Sequence, residues 1–381
     1  MPHLFISAAH KSSGKTTVSI GLCAALRARG LVVQPYKKGP DYIDPLWLSQ
    51  AAGRPCYNLD FYTMARAEIE QTFRQQLHGA DLGLVEGNKG LYDGLDLDGS
   101  NSNAALAALL GAPVVLVLDT RGMTRGVAPL ILGYQAFDPR IRIAGVILNH
   151  VGGPRHEGKL RQVIEHYTAV PVIGAVAQSR ELEIVERHLG LMPSNESSEA
   201  ARQIERLGSR IGEAVDLDAV LSIAAQAASV AAAAPAQVPP APKVRVGIAQ
   251  DEAFGFYYPG DLAALRLAGA QLVPCDTLHD EGRPEVDGLF IGGGFPESRM
   301  EQLEANAPMR EAVAAFIEAG GPAYAECGGL MYLARSLAWH GKVCRMTGVI
   351  PADVVMCERP QGRGYVRLSE TGESPWPASG D

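Results

Sequence analysis

No stretch of this 381-residue chain offers the roughly 20 consecutive apolar residues that a membrane-spanning helix needs. The nearest approach, VLSIAAQAASVAAAAPAQV over residues 220–238, is mostly alanine and is broken by serine, glutamine and proline. An export signal is missing too, because the chain runs at once into HLFISAA with no basic start or small-residue cleavage site. A cytoplasmic location is therefore expected. Positive charge is not in excess: 34 Lys and Arg face 42 Asp and Glu, a net −8, which argues against a general affinity for nucleic acid or anionic lipid. Anionic ligands would need local basic sites. Six cysteines (Cys23, Cys56, Cys275, Cys327, Cys344, Cys357) stand far apart, with no Cys-x-x-Cys and no Cys/His ligand grouping. Neither a zinc site nor a disulfide framework is expected, and the thiols are read as reduced and mostly buried. Aromatic residues are scarce at 6% against 42 glycines, as in alternating strand and helix units whose tight turns consume glycine.

The length favours two domains. Unalternating apolar runs at 3–9, 31–36, 81–85, 113–118 and 143–148, with helical-period segments between them, read as parallel strands buried on both faces. A doubly wound α/β domain is expected over 1–217. Residues 218–242, rich in alanine, glutamine and proline, read as a linker. The alternation restarts in 243–381 with KVRVGIA, a helix near 260–268, AQLVPC, DGLFIGGG, a helix over about 300–319 and PAYAEC, which makes a second α/β domain.

Directly after the first strand comes AHKSSGKTT, residues 9–17. The P-loop pattern fits at seven of eight slots, with Ala9 in the first glycine's place and Gly14, Lys15 and Thr16 in register. Small residues let successive backbone N–H groups point at phosphate oxygens, while Lys15 neutralises β/γ charge and Thr16 reaches Mg²⁺. Gly14, Lys15, Thr16 and Thr17 are thus candidate contacts of ATP. A metal-side carboxylate is required, and Glu86, ending the run 82–85, supplies it. PYKKGPDYIDP, residues 35–45, ends the second strand beside the P-loop. There Lys37 or Lys38 could balance charge during phosphoryl transfer, and Asp41 or Asp44 could hold Mg²⁺. Lys37 is taken as the catalytic cation and Asp41 as the metal ligand. Asn149, after AGVIL, is a candidate for the adenine edge or a simple turn residue.

LFIGGGFPE (289–297) ends a strand in three glycines suited to an oxyanion, and AYAECGGLMYLA places Cys327 where a strand meets a helix. A helix N-terminus there would favour a thiolate. These stretches resemble the glutaminase domain of class I amidotransferases, in which a cysteine attacks the amide of glutamine. A thiol needs a base, yet the second domain holds only His279 and His340, neither at the late position that fold uses.

Taken together, SSGKTT, KKGPDYIDP, NLD, VEGNKGLYDG, GGGFPE and AECGGLMYL make the chain resemble the cobyrinic acid a,c-diamide synthase family over nearly its whole length: a dethiobiotin-synthetase-like ATP domain fused to a glutaminase domain. The resemblance implies ATP and Mg²⁺ as cofactors, with Lys15 and Thr16 on nucleotide and metal, Glu86 a metal ligand and Cys327 the glutamine nucleophile. It further implies amidation of acetate side chains on a tetrapyrrole through an acyl phosphate, with nitrogen from glutamine or ammonia. Cobyrinate and sirohaem are both within the family's range, and AHKSSGKTTVS and EGNKGLYDGLDLDGSNSNAALA look most like the sirohaem branch. Members of the family continue beyond the point matching GRGYVRLSETGE, through a segment carrying the catalytic histidine. The expectation is accordingly an incomplete amidotransferase-like domain that is a weakened glutaminase, beside a synthetase that can use free ammonia. Neither nucleic acid nor membrane is an expected partner, and a homodimer is left open. Two other readings compete. One is a dethiobiotin-synthetase-like enzyme, against which the second domain speaks. The other is a partitioning-type ATPase switch, which carries an extra lysine where this chain has His10.

Overall fold

The computed structural model describes residues 1–179, 182, 184, 186, 187, 190–196, 199–230, 237–359, 361, 362, 364–367 and 369. The first half is a seven-stranded, wholly parallel sheet in the order β3-β2-β4-β1-β5-β6-β7. Its strands are β1 (His3–Ala8), β2 (Val33–Lys38), β3 (Tyr57–Leu59), β4 (Leu82–Glu86), β5 (Val114–Asp119), β6 (Ile143–Val151) and β7 (Val172–Ala177). The five central strands overlap the five apolar runs, as strands buried on both faces require, although β2 (VQPYKK) carries its run only at its start and buries polar side chains at its carboxyl end. On one face lie α1 (Lys15–Ala28), α2 (Ile43–Ala52), α7 (Ala200–Ala214) and α8 (Leu217–Ala224), sharing a core with Leu4, Ile6, Val115 and Val117. On the other lie α3 (Arg66–Leu77), α4 (Asn103–Leu110), α5 (Val127–Phe137) and α6 (Pro154–Tyr167), packed on Phe5, Val85, Leu116 and Leu118. This is the expected doubly wound domain.

The linker expected over 218–242 starts later than its composition implied. Residues 218–224 belong to α8, because Asp216 accepts from the N–H groups of Asp218 and Ala219, and Val220, Ile223 and Ala224 fall on one buried stripe. Residues 231–236 of that segment, and all those from 370 onward, lie outside the described residues.

After a two-strand hairpin, β8 (Glu186–Arg187) and β9 (Gly190–Leu191), the second half builds a four-stranded parallel sheet. Its strands are β10 (Val244–Ala249), β12 (Ala270–Cys275), β13 (Gly288–Ile291) and β15 (Ala323–Ala325), in the order β12-β10-β13-β15. Smaller strands β11 (Phe254–Phe256) and β14 (Gly293–Gly294) pair antiparallel, and β16 (Ala334–Trp339), β17 (Lys342–Arg345) and β18 (Ile350–Val355) form a third sheet. Helix α9 (Pro259–Leu267) is as expected. The helix expected over 300–319 is two, α10 (Met300–Ala305) and α11 (Ala307–Glu318), because Asn306 breaks the first and its side chain caps the second. Helix α12 (Gly328–Leu333) follows Cys327.

The halves meet through aromatic rings. Tyr42 stacks on Tyr258 with centroids 4.2 Å apart and on Phe256 at 5.6 Å. Tyr62 stacks on Tyr365 at 3.8 Å, whose hydroxyl donates to Asp60. Asn195 donates to the carbonyl of Asp251.

Candidate active site

Residues that chemistry requires gather at the carboxyl ends of the parallel strands. Gly14 precedes α1 at φ 84°, and a Cβ there would overlap the side-chain amide of Asn149. Only glycine meets both demands. The first turn of α1 carries no acidic residue and no side-chain cap, so its N–H groups are left for an anion. Ser13 Oγ donates to the carbonyl of His10 and fixes the loop below. Ala9, standing where the motif has glycine, uses its carbonyl to accept from Tyr134. Lys15 is buried, and its ammonium makes no hydrogen bond or ion pair among the described residues. Burial first, then the charge of Lys37, hold Lys15 below its ordinary pKa. An anion is what such a cation lacks. Thr17, next on α1, is half-buried.

Strand register assembles the rest. Lys37 of β2 is opposite Glu86 of β4, and Ile6 of β1 is opposite the same Glu86. Lys37 Nζ donates to Glu86 Oε1 at 2.7 Å and to Asp44 Oδ2 at 2.5 Å, while Asp41 Oδ2 lies 3.7 Å away. Thr16 Oγ1 donates to Glu86 Oε1 at 2.8 Å. Lys37 is 1% exposed, yet its pKa is pushed well above the ordinary value: burial works against the charge, and the carboxylates of Asp44, Glu86 and Asp41 outweigh it. For Asp44, burial likewise would raise the carboxyl, but Lys37 overrides it and holds the group below the usual range. Asp41 goes the other way, to about 7, because burial and then the neighbouring charge of Asp44 disfavour its ionised form.

Asp41 is the expected metal ligand of the two aspartates, but it is Asp44 that touches Thr16, at 3.3 Å. Asp41 Oδ1 instead accepts from the N–H groups of Ile43 and Asp44 and starts α2. Asn149 donates its amide to the carbonyl of Ser13, so the structure ties it to the P-loop.

Glu86 Oε2 is buried with no hydrogen-bond partner, although its sister oxygen has two donors. An orphaned carboxylate oxygen beside the hydroxyl of Thr16 and the carboxylate of Asp44 suits Mg²⁺. Among the described residues no group of three or more His, Cys, Asp or Glu could hold a metal by itself. That accords with Mg²⁺, which takes one or two protein carboxylates and completes its shell with water and substrate phosphates.

Cys327, at φ 50°, joins β15 to α12 in a turn with no room for side chains. A Cβ on Gly328 would lie 2.9 Å from Pro296 Cδ, and one on Gly329 would collide with the carbonyl of Ile291. The exposed thiol is met by the backbone N–H groups of Gly328 and Gly294, the donors that can also face an oxyanion. Desolvation by the surrounding protein, which raises the thiol pKa, outweighs their pull. Helix α12 is only six residues long.

The two histidines stand elsewhere. His279 follows β12, at the sheet edge opposite β15, and pairs with Asp276 at 2.9 Å. His340 sits at the β16–β17 turn and stacks on Trp339. Among the described residues no histidine hydrogen-bonds the Cys327 thiol.

Residues 5–191 match the family model of the CobQ/CobB/MinD/ParA nucleotide binding domain, and residues 245–376 that of the CobB/CobQ-like glutamine amidotransferase domain. A P-loop fold joined to such a domain defines an ATP-dependent amide-forming ligase. The cobyrinate a,c-diamide synthase of Magnetococcus marinus is 50% identical over 99% of this chain and 82% of its own length. Those of Methanosarcina acetivorans and Dehalococcoides mccartyi are 44% and 42% identical, over 89% and 97% of this chain and 71% and 81% of theirs. The chain belongs to the cobyrinate a,c-diamide synthase family.

Proposed function

We propose that the chain amidates peripheral acetate carboxylates of a tetrapyrrole, with an acyl phosphate as intermediate. The observation that carries this reading is the cluster of Thr16, Lys37, Asp44 and Glu86 beside a P-loop lysine that makes no hydrogen bond or ion pair among the described residues. The P-loop amides and Lys15 bind the β- and γ-phosphates. Thr16, Glu86 and Asp44 hold Mg²⁺, which when bound offsets phosphate charge. Lys37, fixed by its carboxylates, presents its charge to the transferring phosphoryl group. A substrate carboxylate oxygen attacks the γ-phosphorus and ADP leaves. Ammonia then adds to the acyl carbon, loses a proton and displaces inorganic phosphate, leaving the amide. Asp41, whose carboxyl pKa burial and the charge of Asp44 raise to about 7, is the candidate to take that proton. Nitrogen comes from glutamine through Cys327 or from free ammonia.

The relatives named as cobyrinate a,c-diamide synthases support cobyrinate as the ring, with sirohaem the second candidate from the resemblance of the P-loop and 86–107 stretches. The test is purified protein with ATP, Mg²⁺ and either glutamine or ammonium, presented with each ring and followed by mass spectrometry. Mass changes of one acid-to-amide conversion per reacted acetate are expected. Failure with both nitrogen donors on both rings would sink the reading. Among the described residues no helix is long and apolar enough to cross a membrane.

A further inference from the structure

Lys38 is the last residue of β2, and Lys89 lies just past the end of β4, the neighbouring strand. Strand alternation sends Lys38 to the opposite sheet face from Lys37, so it takes no share in the carboxylate cluster. Lys38 is only 7% exposed, and its ammonium makes no hydrogen bond or ion pair among the described residues. The nearby acid, Asp60, attracts it through space but makes no ion pair with it, and burial together with the charges of Lys89 and Lys37 outweighs that attraction. Asp60, following the β3 residue that pairs with Lys38, is turned to the N–H of Tyr62, the hydroxyl of Thr63 and the hydroxyl of Tyr365. Lys89 is exposed, is likewise unpaired, and holds a left-handed backbone at φ 44°, a conformation costly for a lysine.

Two cations at adjacent strand ends, neither with an ion-pair partner among the described residues and one with a buried stem, leave a local surplus of positive charge in a chain that is negative overall. Burying an unpaired ammonium is unfavourable, so the arrangement calls for an anion. The nucleotide already has a cation of its own in Lys15, the first residue of α1. A ring bearing several acetates presents more carboxylates than the one being activated, and these need partners when the ring settles against protein.

Resting on the reading above, we propose that Lys38 and Lys89 form a clamp for a carboxylate of the acidic substrate, separate from the phosphate site and setting how the ring is held. Two ammonium groups, one at the end of a strand and one on the loop after its neighbour, can grip one carboxylate through charge-assisted hydrogen bonds. The clamp is a specificity device: rings whose acetates are already amidated, or are spaced differently, lose its grip.

The experiment uses steady-state kinetics of the full chain with cobyrinate and with sirohaem, and saturating ammonium as nitrogen donor. Lys38→Gln and Lys89→Asn are compared with wild type; asparagine tolerates the left-handed backbone while removing the charge. Each is expected to raise KM for the ring about tenfold with KM for ATP within about twofold, as for loss of one ion pair in a partly buried site. Lys38→Arg should recover most of the loss. Retained ATP binding shows that the variants fold. An unchanged ring KM, or a KM for ATP that rises in step, overturns the clamp, the second outcome assigning Lys38 to the nucleotide. If wild type amidates neither ring, the functional reading and the clamp fall together; if wild type works and the variants match it, only the clamp falls.

Discussion

Thr16 and Lys37 donate to the same oxygen of Glu86, at 2.8 and 2.7 Å, while the other oxygen of that carboxylate has no donor. One side chain thereby joins the first turn of α1, the end of β2 and the end of β4. Glu86→Gln keeps the shape and removes the charge. It should lower kcat by a factor of roughly 10²–10³, the scale of losing one preorganised charge-stabilising group. ATP binding measured without Mg²⁺ should be little changed.

Lys37→Met leaves Asp44 and Glu86 buried without their cation. Breaking a buried pair by deleting one partner typically costs about 3–5 kcal/mol. A fall of that order is expected in urea denaturation, and double replacement of Lys37 and Glu86 by Met and Leu should cost less than Lys37→Met alone. Equal losses in the two variants would show that the charges do not couple.

Gly14→Ala should abolish nucleotide binding. The added methyl overlaps the Asn149 amide, and φ 84° strains any other residue. Combining it with Asn149→Ala removes the overlap and not the strain, so melting temperature should recover in part while ATP affinity stays low.

Asp41 gives a pH signature. Its folded pKa, about 7, lies above the ordinary carboxylate value, so the folded state binds the extra proton between the two. Stability from this group is therefore full at acid pH and declines as pH rises toward 7. Asp41→Asn keeps an oxygen for the Ile43 and Asp44 N–H groups and cannot ionise. The melting temperature of wild type minus that of the variant should fall between pH 5 and pH 8; a flat difference would contradict the assignment.

Cys327→Ala should leave ammonium-dependent amidation within about twofold of wild type, since the carbonyl chemistry of glutamine hydrolysis is confined to that thiol and its two backbone donors. Whatever glutamine-dependent rate the chain has should vanish. Because desolvation by the protein around it raises the pKa of the exposed Cys327 thiol, alkylation by iodoacetamide should accelerate as pH rises past the usual thiol range.

The central strands and the P-loop were legible because their signals are local: unbroken apolar runs, and small residues at fixed spacing before a helix. The pairing of Lys37 with Glu86 was not, since it depends on β2 and β4 being neighbours, which nothing in either stretch states. The contact of Thr16 with Asp44 rather than Asp41 is non-local in the same way. Strand β3 is only three residues at the sheet edge and β11 is another short piece, too brief for a periodic pattern. Helix α8 hid in alanine, though Asp216 with the spacing of Val220, Ile223 and Ala224 carries its signature. The doublet Lys37–Lys38 reads as one basic spot in sequence, while the pleat sends the two side chains to opposite faces of the sheet.

Tyr42 lies between Asp41 and the helix bearing Asp44, and its ring rests on Phe256, whose Cβ would sit 3.2 Å from a methyl placed on Gly293, next to Cys327. Recombining this amino-terminal half with a carboxyl-terminal half from a distant relative would therefore disturb more than a seam. A graft without rings at 256 and 258 would leave the aspartate-bearing turn without its abutment, so these three positions must be exchanged, or inherited, as a set.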